Sequence, residues 1–200
     1  MLITVLTKTY SYRRPIVLAI GFTLVFVLVL TLFISSGCCA TNHEGFAIYL
    51  TKEDIPPDRM EALSHIDIAD QPVISIKDII KYNAQTHEML LSASAFAGIS
   101  ELDVPVRGKS FMVCVDRNPI YWGAFWTPYS SMSFDGVTIW KPLLPQEPGV
   151  IALEMGYPFA SFYEGEDPRN NPVILNSLKQ AGKLITKLPH SLKGYELEKK

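Results

Sequence analysis

Seven aromatic side chains crowd one short stretch of the chain: Tyr121, Trp122, Phe125, Trp126, Tyr129, Phe134 and Trp140. All three tryptophans lie in this stretch. On an extended strand Trp122 and Trp126 share one face with Ala124, and Tyr121 and Phe125 share the other. If the strand is regular, only one of these pairs fills a core on a sheet with a single covered face. The other pair, beside Thr127-Pro128-Tyr129, would stack on a sugar, a peptide or an apolar ligand. A sheet covered on both faces would hide them all. Trp122, Trp126 and Tyr129 are therefore the candidate ligand-binding residues.

Catalytic chemistry has thinner support. Ser130 and Ser131 lack the nucleophile-elbow pattern and read as turn serines. His87 is a possible base, although a single His beside Glu88 is more often structural. His43, His65 and His190 show no metal-ligand spacing. Glu164, Glu166 and Asp167 cluster as a cation loop would, but the spacing is not that of an EF-hand, and Arg169 competes for the charge. Gly108-Lys109 lacks the rest of a phosphate loop. No catalytic residue, metal or cofactor is assigned on this basis.

Cys38 offers a different chemistry. Ile34-Ser35-Ser36-Gly37-Cys38 resembles a relaxed bacterial lipobox, with Ser35 where Leu is usual, so Cys38 is a lipidation candidate. It follows the apolar run Ile16 to Ile34, nineteen residues broken only by Gly21, Thr23 and Thr31. As a helix this run spans roughly 28 Å, close to a hydrocarbon core of about 30 Å. Lys8, Arg13 and Arg14 are the only charged side chains before Glu44, and the positive-inside rule keeps them in the cytoplasm. The expectation is a single-pass cell-membrane protein with its C-terminal domain outside, held by a signal anchor. The alternative is a lipoprotein carrying lipid on Cys38. Both make the membrane a partner.

The elements that must position these residues follow from periodicity and turn chemistry. The segments are a basic cytoplasmic stretch (1–15), the membrane helix or lipoprotein signal (16–34), a tether (35–45), an outer domain (46–188) and a charged tail (189–200). Strands are expected at Phe46 to Leu50, His87 to Leu91, Ser110 to Asp116, Ile120 to Trp126, Val137 to Trp140 and Gly149 to Met155. Phe111, Val113 and Val115 share one face, and Asp116-Arg117-Asn118-Pro119 turns the chain into a hairpin. Met60 to His65 reads as a short helix and Val73-Ile74 as a short extended piece. Ser75 and Asp78 fit a capping box opening a helix with Ile76, Ile79 and Ile80 on one side. Ser92 caps another helix that turns Ala95, Phe96 and Ile99 inward. Asn171 and Pro172 start a last helix, with Val173, Leu175, Leu178 and Ala181 apolar and Gly182 as terminator. Few short helices and adjacent strands predict an α+β fold: an antiparallel sheet with short helices on one face.

From Thr86 to Trp140 the pattern resembles the periplasmic head of SecD-type translocase subunits. The matching pieces are a strand, the small helix SASAFAGI, Gly108-Lys109, an apolar strand ending in Asp116, Pro119-Ile120 opening the next, and Gly136 before another. The resemblance implies a ferredoxin-like α/β head. SecD-type proteins have several membrane spans where this chain has one apolar run, so the resemblance is carried to the fold and not to translocation.

Charge narrows the function classes. The chain has 200 residues, 48% hydrophobic and 19% charged, with net charge −2. Apart from the three N-terminal cations there remain 15 basic and 20 acidic side chains, a net of −5. An acidic outer domain has no electrostatic footprint for nucleic acid. Cys114 has no partner within the outer domain, so disulfides do not frame it. The sequence favours a non-enzymatic binding or accessory domain of the cell envelope, with an envelope protein as partner. The alternative is a cell-envelope hydrolase in which acids and His87 converge in a cleft.

Overall fold

The computed structural model describes residues 43–143 and 149–185. The chain divides into two units, Met1–Thr41 and Asn42–Lys200, and every described residue belongs to the second. The apolar run 16–34, Cys38 and the tail 189–200 lie outside the described residues. Among those described, no helix is long and apolar enough to cross a membrane.

Among the described residues ten strands form two sheets. The larger is built from β1 (Phe46–Leu50), β2 (Ile74–Ser75), β5 (Lys109–Val115), β6 (Asn118–Trp126), β7 (Phe134–Trp140) and β9 (Glu154–Tyr157), in the order β2-β1-β5-β6-β7-β9. The smaller contains β3 (Ile79–Asn83), β4 (Glu88–Leu91), β8 (Val150–Ala152) and β10 (Leu184–Ile185), in the order β10-β3-β4-β8. Among the described residues two α-helices, α1 (Ala93–Glu101) and α2 (Pro172–Gln180), bury Phe96, Ile99, Ile174 and Leu178 in the main core. The fold is α+β. The expected single antiparallel sheet is instead two sheets, each with one parallel pairing: β6 with β7, and β3 with β10. Between Thr86 and Trp140, β4 lies in the small sheet while β5, β6 and β7 lie in the large one.

The β5–β6 hairpin forms as its alternation requires. Phe111, Val113 and Val115 meet Phe46 and Ile48 of β1 and Tyr121 and Phe125 of β6 in the main core. Asp116 and Arg117 make the turn, both left-handed with φ of 51° and 64°, as a two-residue hairpin loop with matching twist demands. Pro119 pairs with Cys114 next to a register shift. A bulge tolerates the missing N–H there. Where β6 and β7 run side by side, Gly123 faces Val137, and a Cβ on Gly123 would come within 2.3 Å of the Val137 carbonyl oxygen. Only glycine allows this approach.

Three local expectations change. Ser75 and Asp78 do make the capping contact, with Ser75 N–H and Oγ–H donating to the Asp78 carboxylate at 2.8 and 2.6 Å. The contact closes a turn, and the chain continues as β3 because Ile79 is buried against β4. Met60 to His65 is replaced by separate 3-10 turns at Pro57–Arg59 and Leu63–His65. Gly149 to Met155 divides at Leu153 into β8 and β9, which belong to different sheets. The last helix starts and stops as expected: Asn171 Oδ1 accepts from Val173 N–H at 2.9 Å, and Gly182 follows with φ 68°. Its buried side chains are Ile174 and Leu178, while Val173 is exposed.

Candidate functional site

The large sheet is covered on both faces, which decides the fate of the aromatic cluster. Tyr121 and Phe125 fill the main core. The opposite face carries Ala47, Tyr49, Met112 and Cys114, covered by Ile55, Met60, Leu63, Ile66 and Ile68 of the long loop after β1. Farther along that face Trp126 is 1% exposed. Its ring stacks on Phe134 with centroids 5.1 Å apart and planes 13° apart, and meets Tyr157 at 5.4 Å. Trp122 is half-buried against the same Phe134. Tyr129, on the β6–β7 connection, is 75% exposed. Trp122, Trp126 and Tyr129 therefore do not line one open groove. Trp126 belongs to the packing, and only Tyr129 stands clear of it.

The hydrolytic candidates are equally occupied. Ser130 Oγ–H donates to the Val106 carbonyl at 2.5 Å, and the Ser130 carbonyl accepts from Tyr157 O–H at 3.0 Å. These bonds pin the connection. His87 is 4% exposed, with Nδ1 2.9 Å from the Tyr82 hydroxyl. Burial, with Arg169 nearby, pushes its pKa down to about 4. At neutral pH the ring is uncharged. Asp167 receives two bonds from the Arg169 guanidinium, each 2.8 Å, which hold its pKa at about 2. The third guanidinium nitrogen donates to the Leu153 carbonyl at 2.6 Å. Asp167 and Arg169 thus stitch the loop before α2 to the β8–β9 switch. Among the described residues no group of three or more His, Cys, Asp or Glu is placed to hold a metal ion.

One open feature is a groove of about 720 Å³ where the two sheets end, within the size range of ligand pockets, about 300–1,000 Å³. Both strands of the divided segment line it: Val150, Ile151 and Ala152 from β8, and Glu154, Met155 and Gly156 from β9. Trp140, at the end of β7, lines it with Leu143, Phe159 and Phe96. Trp140 is 40% exposed and Phe159 69%, and the Trp140 ring is steadied by Tyr157 at 5.2 Å. Gly149 makes room for the Phe96 ring. A Cβ there would lie 1.8 Å from the Phe96 ring, so the absent side chain lets α1 close against β8. Glu88, Lys141 and Glu154 also line it.

Sequence reading reached Trp140 as part of the aromatic cluster but did not single it out. The signal was present: with Val137 and Ile139 inward, alternation turns Trp140 outward. Phe159 carries no such signal, because it follows Pro158 outside any regular element.

No family model matches this chain, and neither a curated protein nor a solved structure is significantly similar to it.

Proposed function

We propose that the chain is a membrane-anchored, extracytoplasmic and non-enzymatic binding or accessory protein of the cell envelope, which takes its partner in the groove between the sheet ends. One observation carries the choice of binding over hydrolysis. Two exposed aromatic side chains, Trp140 and Phe159, border the groove, whereas His87 is buried against Tyr82. Exposed aromatic rings at a concave site bury large apolar area when a partner arrives. Attachment through residues 16–34, or through lipid on Cys38, is part of the proposal and rests on the apolar run and its basic flank. The SecD resemblance contributes the ferredoxin-like fold suggestion and no activity. No cofactor is implied.

The test compares the intact protein with its Trp140→Ala/Phe159→Ala double variant in pull-downs from native membranes. Partners held by the groove are lost or strongly reduced with the variant. Recovery of the same proteins at the same level by both forms rules the groove out. Mass spectrometry of the mature N-terminus separates the two attachments, since a diacylglyceryl-Cys38 terminus excludes the uncleaved anchor.

A further inference from the structure

Exposed apolar side chains join the groove rim to the β6–β7 connection. Ser130 gathers the connection: its Oγ–H donates to the Val106 carbonyl at 2.5 Å, and its Oγ accepts from Met132 N–H at 3.1 Å. The Ser130 carbonyl accepts from the Tyr157 hydroxyl, and the Tyr157 ring packs on Trp140 at 5.2 Å. Trp140 in turn shares the groove with Phe159. Tyr157 thus links two groups of exposed side chains, Val106, Tyr129 and Met132 on one side and Trp140 and Phe159 on the other. Single exposed apolar residues are ordinary, whereas a joined group marks an interaction surface. Hydrogen bonds already hold the connection in place, so little ordering remains to oppose binding.

Area and charge select the occupant. With aromatic side chains of about 150–250 Å² each, the exposed parts of Tyr129, Trp140 and Phe159 alone amount to roughly 300–450 Å². Val106 and Met132 extend this toward the roughly 800 Å² that each partner gives to a standard interface. Lys141 and Glu154 line the groove with Trp140 and Phe159, and neither enters a salt bridge among the described residues. Glu88 is not counted with them, because its carboxylate already accepts from Thr86 Oγ1 at 3.2 Å. A cation beside an acid selects neither a strongly basic nor a strongly acidic partner. An anionic lipid surface would attract the cation and repel the acid. A two-fold contact brings the same patch from both sides, so Lys141 of one copy can face Glu154 of the other. The membrane attachment proposed above also confines all copies to one surface and raises their effective concentration.

Resting on the binding reading above, we propose that the partner is a second copy of this chain, docked two-fold through the surface that runs from Tyr129 to Phe159. The exposed aromatic rings form the centre of the contact. Lys141 and Glu154 pair across it in both directions and set its orientation.

The full chain is placed in detergent micelles, and its self-association is followed by sedimentation equilibrium over a range of protein-to-detergent ratios. It is expected to dimerise reversibly. Tyr129→Ser/Phe159→Ser, which replaces two largely exposed side chains, is expected to weaken the dimer at least about tenfold. Lys141→Glu and Glu154→Lys are each expected to weaken it alone, because like charges then meet. Mixing these two charge variants is expected to restore association, since each supplies the charge that the other lacks. An unchanged dimer in Tyr129→Ser/Phe159→Ser overturns the surface as the interface. Charge variants that associate no better mixed than alone overturn the two-fold pairing. A chain that stays monomeric at every ratio overturns the second copy as partner. The groove reading then survives if capture of other proteins is still lost in Trp140→Ala/Phe159→Ala, and falls with it if capture is unaffected. Tryptophan emission of a monomeric chain that is quenched by bromine-labelled acyl chains, but not in Trp140→Phe, assigns the surface to lipid and also overturns the proposal.

Discussion

His87 shows how one side chain is redirected by its surroundings. Its backbone is left-handed at φ 54°, its ring is buried, and its carbonyl accepts from Leu153 N–H at 3.0 Å. A free imidazole titrates near 6.5, while this one titrates at about 4, chiefly because burial disfavours the cation. The folded-state pKa is thus depressed for a base. Above pH 6.5 both folded and unfolded chains carry neutral His87, and the contribution to stability is complete. As the pH falls from 6.5 to 4 the unfolded chain takes up a proton that the folded chain refuses. Stability declines across that window by at most about 3 kcal/mol, and below pH 4 this group adds no further loss. His87→Asn removes the titration and suits the left-handed backbone. Urea midpoints measured at pH 7 and pH 4.5 are expected to differ clearly less for the variant. An equal pH dependence in both proteins refutes the assignment. The hairpin turn tells a related story: Asp116 stays left-handed while its carboxylate accepts from Gly45 N–H at 2.8 Å and meets His43 Nδ1 at 3.0 Å. Arg117 lies 5.0 Å above the Tyr49 ring and donates to the Asp70 carbonyl at 3.1 Å. Two non-glycine residues with positive φ persist because tertiary contacts hold both.

At the scale of elements, caps and alternation account for most boundaries. Ser92 and Asn171 were read as helix starts, and both side chains accept from the first turn, from Ala95 N–H and Val173 N–H. The second is the better test, since its bond is 2.9 Å against 3.4 Å for the first. Asn171→Ala is expected to cost about 1 kcal/mol, read from chemical denaturation, with Asn171→Asp close to wild type. A loss below about 0.3 kcal/mol would mean that packing of Ile174 and Leu178 alone sets the helix start. The Ser75–Asp78 pair carries the opposite lesson. The same local contact forms, yet a strand follows it, because β4 offers Ile79 a buried pairing that an isolated turn of helix does not.

At the scale of the molecule, Gly149 couples the helix layer to the sheets. Its missing Cβ is occupied by the Phe96 ring, so the strand and α1 share one contact. Gly149→Ala is expected to destabilise by about 1–3 kcal/mol through overpacking. Combining it with Phe96→Leu is expected to recover part of that loss, a coupling that thermal or urea denaturation of both single variants and the double variant measures. Simple additivity would place the strain elsewhere than on the Phe96 ring.

What the sequence determined by itself was local. Alternation assigned Phe111, Val113 and Val115 to one face and separated Tyr121 and Phe125 from Trp122 and Trp126. Capping residues placed both α-helices, and charge placed a basic flank before an apolar run. These follow from backbone periodicity and from hydrogen bonds spanning a few residues, which any stretch of chain expresses without its partners. Tertiary structure decided the rest. The loop after β1 covers part of the second face of the large sheet, and Phe134 and Tyr157 pack on Trp126 farther along it, so Trp126 lies inside instead of meeting a ligand. β6 lies parallel to β7 although only residues 127–133 connect them. The segment after Gly149 leaves one sheet at Leu153 and joins the other. Each of these is settled by which distant surfaces need covering, a long-range balance of burial that no local pattern records. The groove exists only because that balance leaves two strand ends side by side with Trp140 and Phe159 still open to solvent.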